Sequence, residues 1–238
     1  MTVPTQVRAR YGLIVPSSNR MAEPHAAHFN PEGVVTHTTR VRMTGPYFMA
    51  IDELLPKVAV AAEVLDDASC DTIVFHCTAN SMAEGLDGEK RIADTIETAT
   101  GKKAITTASA TMAAFEKLEA RRIVLVSPYP RDSHEHEIEF LEEAGMEVIG
   151  ERNLNLNGST AYSDMAPSAW VDTLADMKNE QADVYFASCA NIRAIEVLEK
   201  MEDMLDAPVV TSNQLVIWHA LRQAGVDDPL PGLGRLAA

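Results

Sequence analysis

The chain has 238 residues, nearly half of them hydrophobic, and a formal charge of −15 from 20 basic and 35 acidic side chains. That length can bury a full core in one large domain or two lobes, and that charge excludes a nucleic-acid binder, whose basic patches must meet phosphates. No window reaches the ~18–20 apolar residues of a membrane span, and the opening "MTVPTQVRARYG" shows neither an apolar run nor a small-residue cleavage site, so no leader is expected.

In chain order, short apolar runs predict strands over 11–15, 34–41, 71–76, 103–107, 122–127, 147–151, 183–187 and 208–211. Amphipathic stretches between them predict helices over 50–67, 87–99, 109–118, 133–144, 167–179, 191–204 and 213–224. Strands alternating with helices predict parallel sheets covered by helices on both faces. In "DSHEHEIEFLEEAG" either Asp132 or Ser133 is expected to cap the first turn, with Gly145 at the C-terminal cap. The acids of "EKLEARR", "EHEIEFLEEAG" and "EVLEKMEDMLD" read as solvated helix faces. "PLPGLGRLAA" follows no clear strand and reads as a tail.

Three cysteines, Cys70, Cys77 and Cys189, make no disulfide framework, which predicts a reducing, cytoplasmic setting. The strand pattern is duplicated: "DTIVFHC" ends on Cys77 and "DVYFASC" on Cys189, each opened by an aspartate, Asp71 or Asp183. Val15 in "LIVPSSN" pairs with Val126 in "VLVSPYP", and Thr106 in "ITTASAT" with Thr211 in "VVTSNQ". Matched landmarks in the same order predict two similar α/β lobes. The helix after "ITTASAT" is expected to cross into the second lobe and the one after "VVTSN" to cross back. That places the first lobe at 1–112 plus 218–238 and the second at 113–217.

Functional groups of open parallel sheets gather at the carboxyl ends of strands. Cys77, Cys189, Asn19, Thr107, Tyr129 and Ser212 all fall there, so two thiols facing each other across a cleft are the leading candidate site. A thiolate is a base and a nucleophile, and a nearby helix N-terminus lowers its pKa. The backbone N–H groups of Thr78, Ala79, Ala190 and Asn191 could cradle a carboxylate or a developing enolate. One thiolate beside one thiol suits cofactor-free chemistry at a carbon next to a carboxylate. Cys70 has no counterpart and reads as packing. His76 should point to the face opposite Cys77, in a structural role. His25 and His28 could share a helical face, but no further ligand cluster accompanies them. "HEH" at 134–136 diverges on a helix, and no CxxC, HExxH or Walker pattern occurs, so no metal is expected. A competing reading is a non-catalytic small-acid binder whose thiols only line the pocket. A redox pair is disfavoured by the separation a substrate between the thiols requires.

"GLIVPSSNRMAEP", "RVRM" at 40–43, "CTAN", "RIVLVSPY" and "SCANIRAIE" resemble the aspartate/glutamate racemase superfamily, from about residue 11 to 235. Within it the chain is most similar to the maleate cis–trans isomerase branch, near the arylmalonate decarboxylases. The resemblance implies two pseudo-symmetric Rossmann-like lobes, each a mostly parallel four-stranded sheet with flanking helices, and a cofactor-free site in the cleft. It implies Cys77 as nucleophile, Cys189 as proton donor, and Asn19 and Tyr129 as holders of substrate carboxylates. A further family asparagine falls in "NLNLNGS", on Asn153, Asn155 or Asn157, with Asn157 preferred. The implied reaction is maleate to fumarate by Cys77 addition through an enediolate, in a homodimer or higher homo-oligomer. The chain departs from the isomerase branch in the polar Thr78, Ala79 and Asn80 after the first cysteine, a feature of the racemases and decarboxylases. The decarboxylases in turn usually lack that cysteine. A racemase or decarboxylase of a small aryl or amino acid, including a relative of the ectoine-catabolism type, is therefore the alternative.

Overall fold

The computed structural model describes residues 6–43 and 48–238. Part of the leader reading falls on residues 1–5, and the first-lobe range includes these and 44–47; all of them lie outside the described residues. Two four-stranded sheets share one design. The first comprises β1 (Ala9–Pro16), β2 (Val34–Val41), β3 (Thr72–Phe75) and β4 (Lys103–Thr106), in the order β2-β1-β3-β4. The second comprises β5 (Arg122–Ser127), β6 (Glu147–Asn153), β7 (Val184–Ala187) and β8 (Val209–Thr211), in the order β6-β5-β7-β8. Every pairing is parallel.

The central strands show why the apolar runs are continuous rather than alternating. β3 and β7 are buried at all positions, because helices cover both faces of each sheet. The repeated aspartates have a local cause as well. Asp71 accepts the Arg10 N–H at 2.8 Å beside β1, and Asp183 accepts the Arg122 N–H at 2.8 Å beside β5. Each carboxylate satisfies a backbone donor where the ladder begins.

The helices are α1 (Ala22–Phe29), α2 (Ile51–Asp67), α3 (Thr78–Met82), α4 (Gly85–Thr100), α5 (Thr107–Lys117), α6 (Arg131–Glu143), α7 (Gly158–Asp164), α8 (Pro167–Ala175), α9 (Leu198–Leu205) and α10 (Ser212–Gln223). α2 shows the physics of the long ones: Ile51, Leu54, Val58, Ala61, Ala62 and Leu65 form one buried stripe at helical spacing. The sequence reading lacks α1, α3 and α7. Its helix over 191–204 is corrected to a turn at Asn191, a 3₁₀ segment Ala194–Val197 and then α9. Its cap for α6 is also corrected: Pro130 holds the N-cap position without a side-chain bond, whereas Gly145 does follow the helix with φ +83°.

Three apolar clusters form the interior. One lies between α2, α4 and the first sheet, and one between α8, α9 and the second sheet. The largest lies between the two sheets and includes residues of α1, α5 and α10. Phe115 of α5 meets Phe186 of β7 edge-to-face with centroids 6.0 Å apart, so α5 packs on the second sheet. α10 packs on β1 and β3 of the first. Both helices open on matching capping boxes, at Thr106–Ser109 and Thr211–Gln214. The C-terminal segment is no loose tail: Leu230, Leu233 and Leu236 are buried, and Gln214 donates to the Leu233 carbonyl at 2.7 Å.

Candidate active site

The cleft between the carboxyl ends of the sheets holds a cavity of about 90 Å³ lined by both Cys77 and Cys189. Cys77 follows β3 and occupies the N-cap of α3 in extended conformation. Cys189 follows β7 with φ +128°, a conformation that side-chain-bearing residues rarely adopt. The two turns are tied together. The Cys189 N–H donates to Ser212 Oγ at 3.0 Å, and the Thr78 hydroxyl donates to that same oxygen at 2.9 Å.

Neighbouring groups set the rest of the wall. Asn19 is a clip between lobes: its Oδ1 accepts the Met21 and Ala22 N–H groups, and its Nδ2 donates to the Ala190 carbonyl at 2.9 Å. One amide hydrogen of Asn19 remains beyond that bond. Asn191 is more fully engaged. Its side chain accepts the Arg20 N–H and donates to the Ser159 carbonyl, and its own N–H points at Cys189 Sγ at 3.3 Å. Tyr129 is buried against Tyr162, with ring centroids 5.7 Å apart, and its ring shares the cavity wall with Cys189. Thr78, Ala79 and Ala190 all line the cavity.

The preferred asparagine does not. Asn157 is exposed at the N-cap of α7, and neither it nor Asn153 or Asn155 reaches the cavity wall. Ser159 and Tyr162 of α7 stand there instead, with Asn80, Ser133, Met43 and Phe48. A residue pair three apart on a short helix was the available signal, hidden because α7 itself was not read from the sequence.

Among the described residues no Lys, Arg, His, Asp or Glu lines the cavity. A bound anion would therefore be held by N–H groups and hydroxyls, a preorganised neutral cradle. Burial pushes the Cys77 thiol up to about 11, against the pull of the Asn80 N–H, and the Cys189 thiol up to about 12, against the Tyr129 hydroxyl. The short helix after Cys77 does not overcome desolvation, so both groups rest as thiols. Because the thiolate is the reactive form, iodoacetamide at pH 7 should modify Cys77 about 10²-fold more slowly than a free cysteine. The rate should climb steadily from pH 7 to 10. A plateau below pH 9 would contradict this.

His76 points away from the cavity, bonded to Thr107 at 3.0 Å and Asn213 at 2.7 Å, and burial lowers its pKa to about 4. Asn213 also contacts His25 at 2.7 Å, so these histidines serve the lobe interface. His134 is held by Ser127 and Glu151, while His136 packs on Phe48. Among the described residues no three His, Cys, Asp or Glu side chains gather as a metal site. Cys70 is fully buried in the outer core of the first lobe.

One acid of the supposedly solvated face of α6 is fully buried. Glu137 receives the Ser188 hydroxyl at 2.5 Å, and burial raises its pKa from 4.5 to about 8. A pKa raised on folding gives stability that is full below the unfolded value and is lost as pH rises through the folded one. Thermal melts should therefore fall between about pH 4.5 and 8 from this group. Glu137→Gln should lack that part of the decline, which parallel melts at pH 6 and 8.5 would read.

The profile of the arylmalonate decarboxylase family matches residues 11–237. The chain belongs to the arylmalonate decarboxylase family. Relatives of this family member include a maleate isomerase of Pseudomonas putida, 29% identical over 95% of this chain and 96% of that protein. An arylmalonate decarboxylase of Bordetella bronchiseptica is 26% identical over 78% of each. Among solved structures, a mutant maleate cis–trans isomerase of Nocardia farcinica with a covalently bound succinylcysteine intermediate superposes with a TM-score of 0.89. It is 22% identical, with 96% of this chain and 98% of that one covered. The proteins this chain is similar to are thus named for two reactions.

Proposed function

We propose that this chain is a cofactor-independent isomerase of a small dicarboxylate, converting maleate to fumarate. The observation that carries the reading is the pairing of two strand-end thiols in one small cavity with neutral donors around them. The cavity has room for roughly six to nine water-sized positions, enough for a small diacid. The similarity to proteins named maleate isomerase supports the same substrate class.

The cycle starts with Cys77 ionised. Its sulfur adds to one alkene carbon, and the π electrons move onto the adjoining carboxylate as an enediolate. The Tyr129 hydroxyl, the free Asn19 amide hydrogen and the backbone N–H groups of Thr78, Ala79 and Ala190 hold the developing charge. The Cys189 thiol protonates the neighbouring carbon, leaving a single bond free to rotate. Cys189 thiolate then takes the proton back, Cys77 leaves, and the trans alkene forms. Protons and electrons balance over the cycle, and no cofactor enters it. Proton NMR of reduced protein with maleate checks the assignment: fumarate should accumulate. Carbon dioxide release from substituted malonates without maleate turnover would favour decarboxylation instead.

A further inference from the structure

Strain at Cys189 persists only if its neighbours over-determine the turn. The Ser188 N–H donates to the Val126 carbonyl at 2.8 Å, the Cys189 N–H to Ser212, and Asn19 to the Ala190 carbonyl. One further clamp has no part in the chemistry so far. Ser188 Oγ donates at 2.5 Å to Oε1 of Glu137, whose Oε2 is buried without a partner among the described residues. Glu137 lies one turn along α6 from Ser133, which lines the cavity. Its titratable surroundings are His134 on its own helix, itself held by Ser127 and Glu151, and Cys77, Tyr129 and Cys189 around the pocket. Among the described residues no cationic side chain acts on it.

We infer that Glu137 is a positioning residue: as a neutral acid it anchors Ser188 and so holds the strained turn that aims the Cys189 thiol at the substrate. The inference rests on the reading of Cys189 as proton donor. An ionised carboxylate with an undonated oxygen in a dry site is heavily penalised, so the acid keeps its proton. A negative charge there would also oppose a thiolate in the cavity above. What Ser188 needs is an acceptor oxygen, and an amide supplies one equally well.

Ser188→Ala, Glu137→Ala and Glu137→Gln separate this role from simple packing. Two quantities are read: kcat and KM with maleate, and the rate at which iodoacetamide alkylates Cys189 in a Cys77→Ala background, by peptide mass spectrometry. Ser188→Ala and Glu137→Ala should lower kcat about tenfold or more while KM moves less than about threefold. They should also change Cys189 alkylation by at least about fivefold, because the thiol is re-aimed. Glu137→Gln should restore both quantities to within about threefold of the parent. Parental kcat and alkylation in Ser188→Ala, or a Glu137→Gln variant as impaired as Glu137→Ala, would overturn the inference. If Glu137→Ala does not fold, Ser188→Ala decides alone. If the parent converts no maleate, the functional reading fails, and the substrate-free alkylation still judges Glu137.

Discussion

Replacing Cys77 by Ala should lower maleate turnover by at least about 10⁴-fold, because the loss of a covalent nucleophile leaves only binding and the donor cradle. The protein should survive the change. Among the described residues the Cys77 sulfur makes no side-chain hydrogen bond beyond a long 4.0 Å contact to Asn80, and its backbone is extended, a conformation alanine adopts freely. The expected stability difference is within about 1 kcal/mol. Equilibrium binding of fumarate or succinate should persist, since the hydroxyls and N–H groups of the wall remain. Turnover at a tenth of the parental rate would remove covalent addition from the account. Lost binding together with lost fold would instead make Cys77 a structural residue.

Tyr129→Phe should lower kcat about 10²–10³-fold, the usual effect of removing one oxyanion donor. Two functions leave with the hydroxyl. One is the bond to the developing enediolate; the other is its downward pull on the pKa of the Cys189 thiol, which opposes desolvation. The ring itself stays packed on Tyr162, so folding should be unaffected. Stopped-time NMR of the variant would read the rate, and a KM-only effect would assign Tyr129 to ground-state binding.

Much of this site is legible in the chain because parallel sheets place chemistry at strand ends. The eight apolar runs appear as strands with bounds within two residues of those expected, and the duplicated landmarks correspond to sheets of the same strand order. What was not legible is short or concealed. α3 has five residues and α7 seven, fewer than a helical period needs to show itself twice. The stretch after Cys189 has the periodicity of one helix in "NIRAIEVLEKM". The bonds of Asn191 to Arg20 and Ser159 hold a turn there instead. Glu137 was hidden in an acidic run, although it shares the face of Ser133, Phe140 and Leu141, all buried. Spacing carried that signal, and charge obscured it. Thiol pKa is not legible for a related reason: a helix start is visible in sequence, whereas the dryness of a cleft is a property of both lobes together.

The most direct measurement is intact-protein and peptide mass spectrometry of a Cys189→Ser variant mixed with maleate and quenched in acid. With the proton return impaired, a mass increase of one maleic acid should map to Cys77 and be absent from Cys77→Ala. Fumarate production by the parent with no adduct on Cys77 in any variant, or an adduct on Cys70 alone, would contradict it.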